Sequence, residues 1–177
     1  MLTRQAAVVM GGLILCGQPS VGCSCGDIPA VEDALAAHDA VFTGEVVRVE
    51  TVSRRFAETA AGRQHELVED LGDGAVLRYA RVTIAVGRAW KGISAEEVVV
   101  ETTLECCTCG YVFEVGKHYL VYASWVRSRG AYAVSICSRT AALAAAVTDV
   151  GTLGKPAVDY GDLGGRGDVG ESGGAVP

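Results

Sequence analysis

The chain contains no run of about 20 apolar residues, the length a helix needs to cross a bilayer. Its longest apolar stretch, Ala6 through Leu15, is half that and carries Gly11 and Gly12. Positive charge is also scarce, with 15 lysines and arginines against 21 acidic residues and a formal net charge of −6. There is no basic stripe, which argues against nucleic acid as a partner. Catalytic signatures are absent too. Ser24, Ser135 and Ser138 sit in no nucleophile motif, and neither a metalloprotease helix signature nor a phosphate-binding loop occurs. No enzymatic activity is therefore expected. Only three histidines are present, and His38, His65 and His118 lack paired ligand spacing. Although Cys106-Cys107-Thr108-Cys109 is thiol-rich, a structural zinc needs four ligands, so no metal site or cofactor is expected within the chain.

What is present begins with an export signal. Arg4, the apolar run, Gly17 and Pro19 precede Ser20-Val21-Gly22, whose small residues fit a signal peptidase. Residues 1–22 are read as a signal peptide, and the protein as secreted, extracellular or periplasmic. Lipidation of Cys23 is the lesser alternative, because Ser20 stands where lipidating enzymes usually find Leu. Lipidation of Cys16 fits less well, with Leu15 just before it. Cleavage after Gly22 removes Arg4 and Cys16, moves the net charge to −7, and leaves six cysteines: Cys23, Cys25, Cys106, Cys107, Cys109 and Cys137. An even count in an oxidising compartment points to disulfides, although six cysteines permit about 15 pairings.

Hydrophobic patterning predicts an all-β domain with little helix. Asp27 is expected to cap a short helix with Pro29 in its first turn and Val31, Ala34, Leu35 and His38 at helical spacing. A strand follows over Ala40–Val52, then a polar, glycine-punctuated excursion over residues 53–76. Alternation resumes over Leu77–Ala89, with Ala80, Val82, Ile84 and Val86 on one face, and Trp90-Lys91-Gly92 ends it. Further strands are expected at Val98–Thr103, Tyr111–Val115, His118–Val126 and Tyr132–Cys137. The alternation places His118 on a strand surface or edge, and Tyr111, Tyr119 and Tyr122 read as barrel packing. Thr140 is expected to cap a helix over Ala141–Val150, ended by Gly151. Five or six strands and one long excursion suggest a small antiparallel barrel over residues 23–150. Residues 151–177 hold nine glycines and one aromatic, Tyr160. Such a composition predicts a disordered tail, in which Arg166-Gly167-Asp168 is a chance tripeptide.

Several motifs in order carry a resemblance. Cys23-Ser24-Cys25 opens the mature chain. Ala40-Val41-Phe42-Thr43-Gly44-Glu45-Val46, Trp90-Lys91-Gly92, Cys109-Gly110-Tyr111, Gly116-Lys117-His118-Tyr119-Leu120-Val121-Tyr122 and Ile136-Cys137-Ser138-Arg139-Thr140 follow it. Over residues 23–147 this set resembles the tissue inhibitor of metalloproteinases (TIMP)-like domain, and its compact bacterial members above all. The resemblance implies an OB-fold-type barrel, the netrin-module scaffold, with the amino-terminal segment stapled to it. It implies disulfides Cys23–Cys109 and Cys25–Cys137. It also implies that the amine and carbonyl of Cys23 chelate the catalytic zinc of a target metalloprotease, while Ser24 enters the target's specificity pocket. Cys25 and Gly26 complete the implied contact strip, although Gly26 lacks the bulk usual there. The second disulfide-rich domain of the animal inhibitors has no counterpart.

Cys106 and Cys107 remain open, since they can pair with each other, or Cys106 can pair with Cys109. The function expected is secreted inhibition of a zinc metalloprotease. The alternative is a netrin-type extracellular interaction module without inhibitory activity. A thiol-based redox or copper-handling role rests only on Cys106, Cys107 and Cys109.

Overall fold

The computed structural model describes residues 23–58, 65–67, 75–105 and 108–161. Residues 1–22, expected to be a signal peptide, Cys106, Cys107 and residues 162–177, with Arg166-Gly167-Asp168, lie outside the described residues. In chain order the elements are α1 (Val31–Ala37), β1 (Ala40–Glu58), β2 (His65–Leu67), β3 (Ala75–Lys91), β4 (Glu97–Thr103), β5 (His118–Val126), β6 (Ala131–Ala133) and β7 (Ala141–Ala142). A 3-10 turn at Leu143–Ala145, α2 (Val147–Leu153) and β8 (Val158–Asp159) complete them. Among the described residues, no helix is long and apolar enough to cross a membrane.

Five strands close into a barrel in the order β1-β3-β4-β6-β5, with β5 pairing back onto β1. This is the OB-type barrel expected, with one refinement. Every ladder of the ring is antiparallel except β4–β6, which is parallel. Directions cannot alternate all the way around a ring with an odd number of strands, so one parallel pair is unavoidable. It falls between β4 and β6 because a tight turn makes β5–β6 an antiparallel hairpin.

The first half of β1 belongs to two ladders. Ala40–Glu45 pair with His118–Ala123 on one side, while Val41–Phe56 run along β3 on the other. Three register shifts between Val41 and Arg48 bend the strand as closure requires. At Gly44 the bend brings β1 so close to β3 that a Cβ would strike the carbonyl of Ala85 and the side chain of Ile84.

Alternation fills two separate cores. Phe42, Val46, Val82, Ile84, Val86, Val100 and Val121 fill the barrel interior, all fully buried. The opposite faces of β1 and β5 are also buried, since Val41, Leu120 and Tyr122 pack with Ala34 of α1 and with Ala146 just before α2. Both helices are seven residues long, too short to persist alone. Their stability comes from this contact and from the Trp90-Lys91-Gly92 motif. Lys91 Nζ donates to the carbonyls of Leu35 and Ala36 at 3.0 and 2.9 Å, capping the end of α1. Trp90 Nε1 donates to Gly154 O at 2.9 Å, past the end of α2. Gly92, at φ 72°, lets the chain turn directly against the Asp39 carbonyl.

Several expectations are corrected. Residue Ala30, with no side-chain cap bond, starts α1, so Asp27 does not cap it. The described residues of the excursion over 53–76 are strand, because β1 runs to Glu58, β2 pairs with its end, β3 starts at Ala75, and Arg54 and Arg55 pair with Leu77 and Val76. Its polar pattern reflects a two-stranded ribbon projecting beyond the barrel, which needs no buried face. Tyr111–Val115 is not a strand, since Tyr111 N–H donates to Thr102 Oγ1 and Glu114 N–H to Tyr119 OH. Tyr132–Cys137 shortens to β6 and an isolated bridge from Gly110 to Ser135. The helix placed over Ala141–Val150 becomes β7, a 3-10 turn and α2. Thr140 does not cap it, because its hydroxyl is taken up by the backbone of Tyr122 and by Ser138. Part of the glycine-rich segment is folded: β8 pairs with Arg88 and Ala89, and the Tyr160 hydroxyl donates to Ser94 O at 2.6 Å.

Burial pushes the Tyr122 phenol from its ordinary 10.0 up to about 12, with the Asp149 carboxylate adding to the shift. A phenol whose folded value is raised holds its proton after the unfolded chain has lost it. Its contribution is therefore intact below pH 10 and lost as pH rises toward about 12. The melting temperature of the wild type should fall across that window. Tyr122→Phe should flatten that alkaline fall, and should change stability at neutral pH by no more than about 1 kcal/mol, since the buried hydroxyl has no hydrogen-bond partner among the described residues.

Candidate functional site

The segment Cys23–Ala30 has no regular secondary structure and is tied to the stretches that follow β4 and β6. It is held by covalent and polar anchors. The disulfide Cys23–Cys109 links residues whose Cα atoms are 5.2 Å apart, and Cys25–Cys137 links a pair at 5.4 Å. These are the two pairs that the resemblance implies. They close loops of 86 and 112 residues, each worth about 4–5 kcal/mol in the chain-entropy account.

Each partner cysteine is itself fixed. Cys109 takes the left-handed conformation, φ 53°, and its carbonyl accepts from Ile136 N–H at 2.9 Å. Gly110 follows, packed so tightly on Thr103 that a Cβ would meet the Thr103 carbonyl oxygen. Cys137 N–H donates to Ser135 Oγ at 3.2 Å, and Ser138 Oγ donates to Ser135 O at 2.8 Å. Ser135 and Ser138, which sit in no nucleophile motif, therefore serve as turn braces.

A third anchor was not foreseen. Arg139, at φ 64°, donates Nη1 to the Pro29 carbonyl at 2.6 Å and grips Asp149 with Nε and Nη2 at 2.7 and 2.8 Å. It joins the amino-terminal segment to α2, and the Asp149 carboxylate raises its already high pKa. Only its place two residues after Cys137 pointed to it.

Between these anchors Ser24 and Gly26 are exposed, while Cys23 and Cys25 are half-buried. Exposed apolar side chains flank the anchors along the chain: Ile28 at 60 %, Val112 at 80 % and Ile136 at 41 %. The site is thus a rigid strip with two solvent-facing residues alternating with two stapled ones.

Among the described residues the candidate metal ligands form one cluster, and it holds no free thiol. The sulfurs of Cys23, Cys109 and Cys137 lie within 4.8 Å of one another, but that closeness comes from two disulfides side by side, which leaves no thiolate to bind a metal. His38 Nδ1 is 2.8 Å from Ala34 O, and its ring packs edge-on against Tyr122. His118 faces Glu45 at 3.9 Å, in the surface role expected of it. The side chain of His65 lies outside the described residues.

Arg139→Ala should cost about 2–3 kcal/mol in a denaturant titration, because it removes charge-assisted bonds to Asp149 and Pro29 at once. Amide exchange should rise most between Cys25 and Ala30, where the hook acts, while β3 and β5 stay protected.

No protein-family model matches this chain, and no curated protein matches it.

Proposed function

We propose that the protein is a secreted inhibitor of zinc metalloproteases that acts through the amino terminus exposed by cleavage after Gly22. The observation that carries this reading is the strip Cys23–Gly26, fixed by two disulfides at its odd positions with Ser24 and Gly26 left facing solvent. A catalytic zinc holds three protein ligands and one exchangeable position. The α-amine and carbonyl of Cys23 replace its water as a five-membered chelate, and Ser24 enters the adjoining specificity pocket. An α-amine titrates near about 7.7–8.0, so presenting it deprotonated at neutral pH costs about 1.4 kcal/mol at most, which zinc coordination exceeds. Prior ordering by the disulfides and the Arg139 hook removes most of the entropy that an extended segment loses on binding. The exposed Ile28, Val112 and Ile136 supply apolar contact beside the chelate.

One observation favours a second reading, that of an interaction module without inhibition. The β1–β3 ribbon reaches beyond the barrel as far as Phe56 and Ala75 and presents a separate surface.

Mature protein beginning at Cys23 should inhibit a secreted zinc endopeptidase. Retaining Gly22, or acetylating the Cys23 amine, should weaken inhibition on the order of a hundredfold or more, about 2.7 kcal/mol. Equal potency of the free and blocked forms transfers the contact to the ribbon. Inhibition by the free form should also weaken progressively as pH falls below about 7.7–8.0, where the amine becomes protonated.

A further inference from the structure

Glu101 is the one fully buried acidic residue among the described residues. It stands opposite Arg81 in the β3–β4 ladder. Its Oε1 receives everything: Arg54 Nη2 at 2.5 Å and Arg81 Nη2 and Nε at 3.1 and 3.3 Å. Its Oε2 is buried and has no partner among the described residues, and neither does Arg54 Nε. A buried carboxylate oxygen without a donor is costly, and folded proteins seldom leave one in that state.

Glu101 lines two adjoining hollows on the outer face of the sheet. One, of about 420 Å³, is bounded by Arg81, Glu97, Val99, Trp125 and Tyr132. The other, of about 430 Å³, adds the hydroxyl-bearing residues Thr103, Thr108, Ser124 and Ser135. Each volume lies in the range of about 300–1,000 Å³ usual for small-molecule sites. Trp125 is 47 % exposed, unusual for the largest apolar side chain, and Tyr132 braces it edge-on at 5.1 Å between ring centroids. Val99 beside it is 40 % exposed.

We propose that this groove binds a neutral oligosaccharide, with one pyranose face stacked on Trp125 and its hydroxyls held between Glu101 and Arg81. Three properties select that ligand class. Across the two hollows Arg81 and Arg129 are set against Glu97 and Glu101, so the charges balance and neither an anion nor a cation is favoured. A hydroxyl is the neutral group that can both donate to Oε2 and accept from a guanidinium. A pyranose joins such hydroxyls to an apolar C–H face, which matches an exposed indole beside a carboxylate–guanidinium pair. Of the two guanidiniums on Glu101, that of Arg81 is 42 % exposed and can shift toward a ligand hydroxyl, while that of Arg54, at 14 %, stays in place. Because the two hollows share Glu101, the groove has room for more than one ring.

The first hollow, which holds Trp125, shares no lining residue with the amino-terminal strip or its anchors, whereas the second is lined by Cys137. The test is titration of the mature protein with cello-, chito-, manno- and xylo-hexaose, with a heparin hexasaccharide as the anionic comparison. The chain has two tryptophans, so a Trp90→Phe background leaves Trp125 as the sole fluorescent reporter. At least one neutral hexaose should give a saturable blue shift that persists at high salt and is unchanged by acetylation of Cys23. By calorimetry, Trp125→Ala should weaken that binding about tenfold, as should Glu101→Gln. If Glu101→Gln fails to fold, Trp125→Ala alone decides, since its side chain is half exposed. The proposal is overturned if no neutral hexaose binds, if binding ignores Trp125→Ala, or if only heparin binds and salt abolishes it.

Discussion

Closure of the barrel through the first half of β1 is the constraint on which the rest of the molecule depends. Residues Ala40–Glu45 are shared between β3 and β5, so one six-residue stretch holds both edges of the sheet. This double duty explains why the sequence there is apolar on both faces. Phe42 fills the barrel, while Val41 turns outward to meet the helices. It also explains Gly44 and the register shifts, since a strand paired on both sides must bend sharply to complete a ring of only five. Closure pairs β1 on both sides within the barrel, and beyond it β1 and β3 continue as a ribbon.

Everything attached to the barrel is a short element that cannot hold its own shape. Two seven-residue helices, two two-residue strands and an irregular amino-terminal segment each rely on contacts from outside themselves. For α1 the anchor is Lys91, for the end of α2 it is Trp90, and for Cys23–Ala30 it is two disulfides and the hook of Arg139. The anchors are linked, because Arg139 ties the amino-terminal segment to α2 through Asp149. A small domain with a modest core gains from such cross-links, which restrict the unfolded chain and fix a surface segment without burying it. A strip that is rigid and yet exposed is what recognition of another protein's active site requires.

Opposite the apolar interior, the outer sheet face carries an ionic cluster with an unequal distribution of bonds. Glu101 concentrates three guanidinium contacts on one oxygen and leaves the other without a partner among the described residues. Packing alone gives no reason for that asymmetry. An aliphatic side chain at the same outward position would have stabilised the sheet as well, because buried ion pairs seldom repay their desolvation.

Much of this was legible from residue order. Alternation over Leu77–Ala89 put Ala80, Val82, Ile84 and Val86 on one face, and all four are buried. The spacing of Val31, Ala34 and Leu35 marked α1, and the domain's all-β class followed from its β-branched runs. The local pattern failed where the deciding partner is distant. Polar residues 53–58 read as loop, because nothing in their own pattern reveals that β3 lies alongside. Ala141–Ala145 read as helix by composition, but pairing with β5 and the demand of Tyr122 for the Thr140 hydroxyl overrode propensity. Residues 154–161 read as tail, because the composition does not show that the exposed edge of β3 is within reach. Glu101 drew no notice in its own strand pattern, and its burial goes with the approach of Arg54 from the ribbon. The sequence by itself determined periodicity and cysteine parity, which are properties of neighbours along the chain. Tertiary structure alone decided which polar groups are buried and which face of each strand is covered, and the cysteine pairing was legible only through the resemblance, since all of these depend on contacts across 47 to 112 residues that no local pattern encodes.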